Sequence, residues 1–171
     1  MLMKPTSAAR LRRASAISEA QRRRPSFDLA LQYAAPRAGL PARASVATWM
    51  VATLARPAKV TVRFVGRDEA RRLNRTYRGG DYATNVLTFA YGPTNGAPLA
   101  GDIVLCAPVV AREARVQRKP LRAHYAHLTV HGALHLQGYD HARARDAARM
   151  ERLETRILKR LGFEDPYGRQ S

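Results

Sequence analysis

Cysteine is almost absent: the chain of 171 residues has one, Cys106. That excludes a disulfide framework and any multi-cysteine metal site, and the chain reads as an intracellular, cytoplasmic protein. Long apolar runs are missing as well. No stretch reaches the roughly 18 residues of a membrane-spanning helix, so no membrane partner is expected. Lysine is scarce, with four residues (Lys4, Lys59, Lys119 and Lys159), and acidic residues number only 13. Cys106 itself falls in an apolar run and reads as core.

What the chain does have is arginine. Its 26 arginines bring Lys+Arg to 30 and the net charge to +17, with a pI near 11.3. Arginine's planar fork binds phosphate oxygens in pairs, where lysine acts as a point charge. A basic, arginine-rich intracellular chain points to nucleic acid, although a coding bias toward arginine explains the composition equally well. The hydrophobic content of 46% excludes wholesale disorder. The length suits one domain with an added tail.

Residues 1–24 differ from the rest. They carry Lys4, Arg10, Arg12, Arg13, Arg22, Arg23 and Arg24 against Glu19, with almost no aliphatic residues. Such a segment buries too little apolar area to offset its ordering entropy and reads as a disordered basic arm that touches RNA loosely. An organelle transit peptide has a similar composition, but nothing else in the sequence argues for import. Without the arm's +6, the body keeps +11.

The body, 25–165, alternates strand and helix patterns and leaves a short tail over 166–171. Period-two alternation predicts strands over 27–33, 59–65 and 85–91, and an apolar run predicts a buried strand over 103–106. Helices are expected from Pro41 to before Pro57 and over 67–77, 108–117, 120–137 and 144–161. The expected fold is a single α+β (α/β-like) domain: about four strands in a mixed sheet, packed by about five helices, with a metal site at the end of a helix.

The histidines carry the function. All five lie between positions 124 and 141. His131 and His135 are four apart, so on a helix both project from one face. Gly138 can end that helix in a left-handed cap and turn the chain back. His141 then approaches the same point from a third side. Three neutral imidazoles with a fourth vertex for water suit one zinc ion per chain. His127 shares the stripe and, like His124, reads as packing or as support behind a ligand.

One residue is missing from this pattern. Zinc peptidases with the long three-histidine motif place a glutamate directly after the first histidine, as general base. Here that position is Gly132, which argues against peptide hydrolysis. Asp140 is the only nearby carboxylate; it can assist a bound water, orient a ligand imidazole, or cap the final helix.

The run His131-Gly132-Ala133-Leu134-His135-Leu136-Gln137-Gly138-Tyr139-Asp140-His141 resembles the signature of the YbeY family, bacterial single-strand-specific endoribonucleases of ribosomal RNA maturation. Further likeness lies in Asn74-Arg75-Thr76-Tyr77-Arg78, in 81–89, in Gly101-Asp102-Ile103 with Glu113 beyond, and in 158–163. It covers about 27–163. Ala83 and Thr88 depart from a frequent proline and serine, and the basic arm is extra. The resemblance implies that His131, His135 and His141 hold zinc and that Arg78 serves RNA cleavage. It also implies a role in 16S rRNA 3′-end maturation and ribosome quality control, with single-stranded ribosomal RNA, the small ribosomal subunit and associated proteins as partners. Thr84 and Asn85 either line the cleft or cap the turn before their strand. Two rivals remain open: a non-catalytic ribosome-assembly factor with structural zinc, and a metalloprotease. Nothing in the sequence sets the oligomeric state.

Overall fold

Val60, Val62 and Phe64 alternate with Thr61 and Arg63, and that period of two builds a central strand with one face committed to the core. In the computed structural model, which describes residues 26–92 and 95–168, the elements run β1 (Phe27–Tyr33), α1 (Arg43–Thr53), β2 (Ala58–Val65), α2 (Arg67–Arg78), β3 (Val86–Tyr91), β4 (Leu99–Cys106), α3 (Ala107–Val116), α4 (Leu121–Leu136) and α5 (Ala144–Arg160). The basic arm expected over 1–24 lies outside these residues. Four strands and five helices among the described residues form the expected mixed α+β domain.

The strands order β1-β2-β4-β3. β1, β2 and β4 are parallel, and β3 closes one edge antiparallel to β4, from Val86 opposite Leu105 to Tyr91 opposite Ala100. One face carries Val60, Val62, Phe64, Ile103 and Leu105 into a large core with α1 and α4. The other face carries Val65, Leu87, Val104 and Cys106 against Ala70 of α2 and Val109 of α3. Cys106 is buried there, as expected.

β4 begins four residues earlier than its apolar run predicts, at Leu99. The reason is Gly101. A Cβ at that position would come within 2.3 Å of the Phe89 carbonyl oxygen and 2.4 Å of Leu136 Cδ2. Close approach of β3 and α4 therefore requires glycine in a strand, which breaks the hydrophobic pattern.

α4 is the central helix. Tyr125, Ala126, Leu128, Val130, Ala133 and Leu134 are all buried, so nearly its whole circumference is covered, by the sheet, α1 and α5. Gln137, just past its end, accepts the Ala55 amide at 2.9 Å and donates to the Thr53 carbonyl at 3.0 Å. The end of α4 is thereby tied to the end of α1.

Candidate metal centre

The end of α4 is built to turn the chain back. Gly138 has φ 90°, its amide bonds the His135 carbonyl at 3.0 Å, and the Tyr139 amide bonds the Leu134 carbonyl at 3.2 Å. This paired closure around a left-handed glycine is a Schellman motif. It returns His141 to the face on which His131 and His135 already project.

The three rings converge. Their candidate ligand atoms all lie within 4.8 Å of one another, and His131 Nε2 lies 3.1 Å from His135 Nε2. Tetrahedral zinc, with Zn–N near 2.0–2.1 Å, sets its ligand nitrogens about 3.3 Å apart. Ring centroids of His141 lie 4.9 Å from His135 and 5.6 Å from His131. The donor set therefore suits a divalent ion. Burial, followed by the two neighbouring imidazoles, pushes the His135 pKa down, which favours the neutral form a ligand requires.

Behind His131 stands a residue that the sequence pattern hides. Glu154 of α5 is fully buried, and its Oε1 accepts from His131 Nδ1 at 2.6 Å. Its Oε2 accepts from His127 Nε2 at 3.0 Å and from the Tyr167 hydroxyl. Burial alone would raise its pKa; the bonds from His127, His131 and Tyr167 outweigh burial and hold it at about 2. An ionised carboxylate on Nδ1 fixes the tautomer of His131 and aims Nε2 at the centre. The available signal was a lone acid on the apolar stripe of Met150, Leu153, Ile157, Leu158 and Leu161. Tyr167, in the segment read as a tail, bonds this carboxylate.

Gly132 is also explained. A Cβ there would lie 2.9 Å from Ile103 Cγ2, because α4 sits against β4 at this point. A peptidase-type glutamate does not fit at that position.

A cleft of about 570 Å³ opens beside the histidines, and Arg78, Thr84, Asn85, Thr88 and Asp140 share its wall with them. Arg78 closes α2, next to Gly79 in the left-handed conformation. It reaches around edge strand β3, and its Nη2 donates to the Thr88 carbonyl at 2.7 Å. That bond uses one of five guanidinium N–H groups. The loop after α2 is held by buried Asn74, whose Nδ2 donates to the Tyr82 carbonyl at 2.9 Å, and by the paired bonds of Arg71 to Asp81 at 2.9 and 2.8 Å.

Asp140 does not cap α5, whose N-cap is Arg143. Its Oδ1 instead accepts the amides of His141 at 2.7 Å and Ala142 at 3.3 Å. The His141 bond, more than the rest, holds its carboxyl below the usual range. Asn85 lines the cleft, its Oδ1 accepts the Val86 amide at 2.7 Å, and its Nδ2 donates to Glu113 at 3.0 Å. Glu113 in turn bonds His124 Nε2 at 2.8 Å. His124 thus sits behind the cleft wall and not at the centre. Burial pushes its pKa down, partly offset by Glu113.

A family model described as Endoribonuclease YbeY matches residues 42–162. An endoribonuclease YbeY of Cupriavidus pinatubonensis is 61% identical over 131 residues, covering 77% of this chain and 65% of its own length. One from Paraburkholderia phymatum is 55% identical over 150 residues, covering 85% and 98%. The chain thus spans about two thirds of the Cupriavidus relative and nearly all of the Paraburkholderia one. The solution structure of TM1509 from Thermotoga maritima matches with TM-score 0.50 at 21% identity, covering 82% of this chain and 99% of that one. That likeness is one of fold.

Proposed function

This chain belongs to the YbeY endoribonuclease family, and from that premise we propose that it is a zinc-dependent endoribonuclease cutting single-stranded ribosomal RNA. The observation that carries the reading is the meeting of three imidazoles and Arg78 on the wall of one cleft. In this reading His131, His135 and His141 hold one zinc ion, residues 25–165 are the catalytic domain, and 1–24 and 166–171 are a basic arm and a tail. Its place is the cytoplasm, in 16S rRNA 3′-end maturation and ribosome quality control, alongside the small ribosomal subunit and its proteins.

Zinc, when bound, supplies a Lewis acid and brings a bound water's pKa near 7. The chain's own residues do the rest. Glu154 keeps His131 in one tautomer. The free N–H groups of Arg78 fork onto the scissile phosphate and stabilise charge that grows in the transition state. Asp140 spends Oδ1 on two backbone amides, which leaves Oδ2 to take the proton of the attacking oxygen.

The test is cleavage of an unstructured and a structured RNA by purified protein, with and without chelator, beside the His131→Ala variant. Cutting of the unstructured RNA alone, lost on chelation and in the variant, is the expected result. A folded His131→Ala protein with full biological activity would favour an assembly factor in which zinc is structural. Peptide cleavage without RNA cleavage would favour a protease, which Gly132 already argues against.

A further inference from the structure

The helix that carries Glu154 has a second face. At about 100° per residue, Arg145, Arg149, Arg152, Arg156, Lys159 and Arg160 of α5 fall in one sector about 100° wide. All six are exposed. The sector lies opposite Met150, Glu154, Ile157 and Leu158, which are buried. Neither Asp146 nor Glu151 falls in it. Among the described residues, Arg145, Arg152, Arg156, Lys159 and Arg160 form no ion pair. Arg149 stacks its guanidinium 5.4 Å from the ring centroid of Tyr139, so the row starts beside the loop that carries His141.

We propose that this outer face of α5 is a second RNA-contact surface, outside the metal cleft, which takes phosphates of the segments flanking the one being cut. It rests on the RNA-cleaving reading above. A row of six like charges about 22 Å long is self-repelling, and a polyanion laid along it removes that repulsion and releases counterions. A protein partner fits less well. Protein interfaces centre on aromatic and apolar anchors, and this sector contains none. Arginine forks, five of the six, match phosphate oxygens in pairs. Because the row points away from the side of α5 that meets His131, it contributes to holding RNA and not to the chemistry.

The test combines Arg145→Ala, Arg152→Ala and Arg156→Ala. These positions are exposed, and alanine is the strongest helix former; circular dichroism checks that the fold is kept. Two labelled single-stranded RNAs, of about 40 and about 6 nucleotides, are mixed with parent and variant and read by stopped-flow anisotropy before any cutting. The longer RNA is expected to bind about tenfold more weakly in 0.1 M salt. Its slope of log affinity on log salt becomes shallower by about 2, at roughly 0.7 per lost phosphate contact. The short RNA binds as before. Unchanged binding of the long RNA makes this a solvated face and overturns the proposal. Equal losses for both lengths assign the arginines to the cleft and overturn it as well. If the parent cuts neither RNA yet the long one loses affinity as stated, the contact surface stands and the cleavage reading fails.

Discussion

Glu154 Oε1 lies 2.6 Å from His131 Nδ1, joining a fully buried carboxylate on α5 to the first of the three converging imidazoles. The candidate metal centre is therefore not a property of the α4 motif alone. Removing the charge while keeping the shape, as in Glu154→Gln, is expected to weaken metal affinity about 10- to 100-fold, read by competition with a chromophoric chelator. Unchanged affinity in a folded variant would reduce Glu154 to a core residue.

Arg78→Ala is expected to lower kcat about 10²- to 10³-fold, the scale for losing one preorganised donor to a developing anion. Its metal content should equal that of the parent, since Arg78 bonds the Thr88 carbonyl and no imidazole. Arg78→Lys should recover only part of the loss, because an ammonium lacks the fork. Full activity in Arg78→Ala would remove Arg78 from the mechanism.

Much of this site was legible in the sequence, for physical reasons that differ by residue. His131 and His135 are four apart on a helix, and Gly138 announces the turn that returns His141; local geometry is enough. Arg78 is one arginine among 26, and only its family context singles it out. Glu154 gave no local signal beyond an acid on an apolar stripe, because its partners are chosen by how α5 lies on α4. The first half of β4 was unreadable for a related reason: Gly101 answers to Phe89 and Leu136, both distant in sequence.

Gly138→Ala tests the turn. A side chain in the left-handed region costs about 1–2 kcal/mol, so thermal unfolding should fall by several degrees. Metal affinity should fall with it, since His141 lies three residues beyond. A variant with lower stability and parental metal affinity would separate the turn from the centre.

His124 predicts a pH dependence. Its folded-state pKa lies below the usual 6.5, so folding favours the neutral ring. The stability that His124 contributes is complete above about pH 6.5 and declines as pH falls further, where the unfolded chain binds the proton more readily. His124→Gln, which keeps a donor toward Glu113, should lose less stability than the parent between pH 7.5 and 5.5 in urea titrations. Equal losses would show that His124 does not contribute.

Whether the three imidazoles hold one ion is read from the metal content of the purified, folded protein by elemental analysis, compared with His131→Ala, His135→Ala and His141→Ala. The parent is expected to hold about one zinc per chain, with a marked loss in each variant. A parent that binds no divalent ion when offered zinc, or three variants that all retain it, would show that these histidines are not metal ligands.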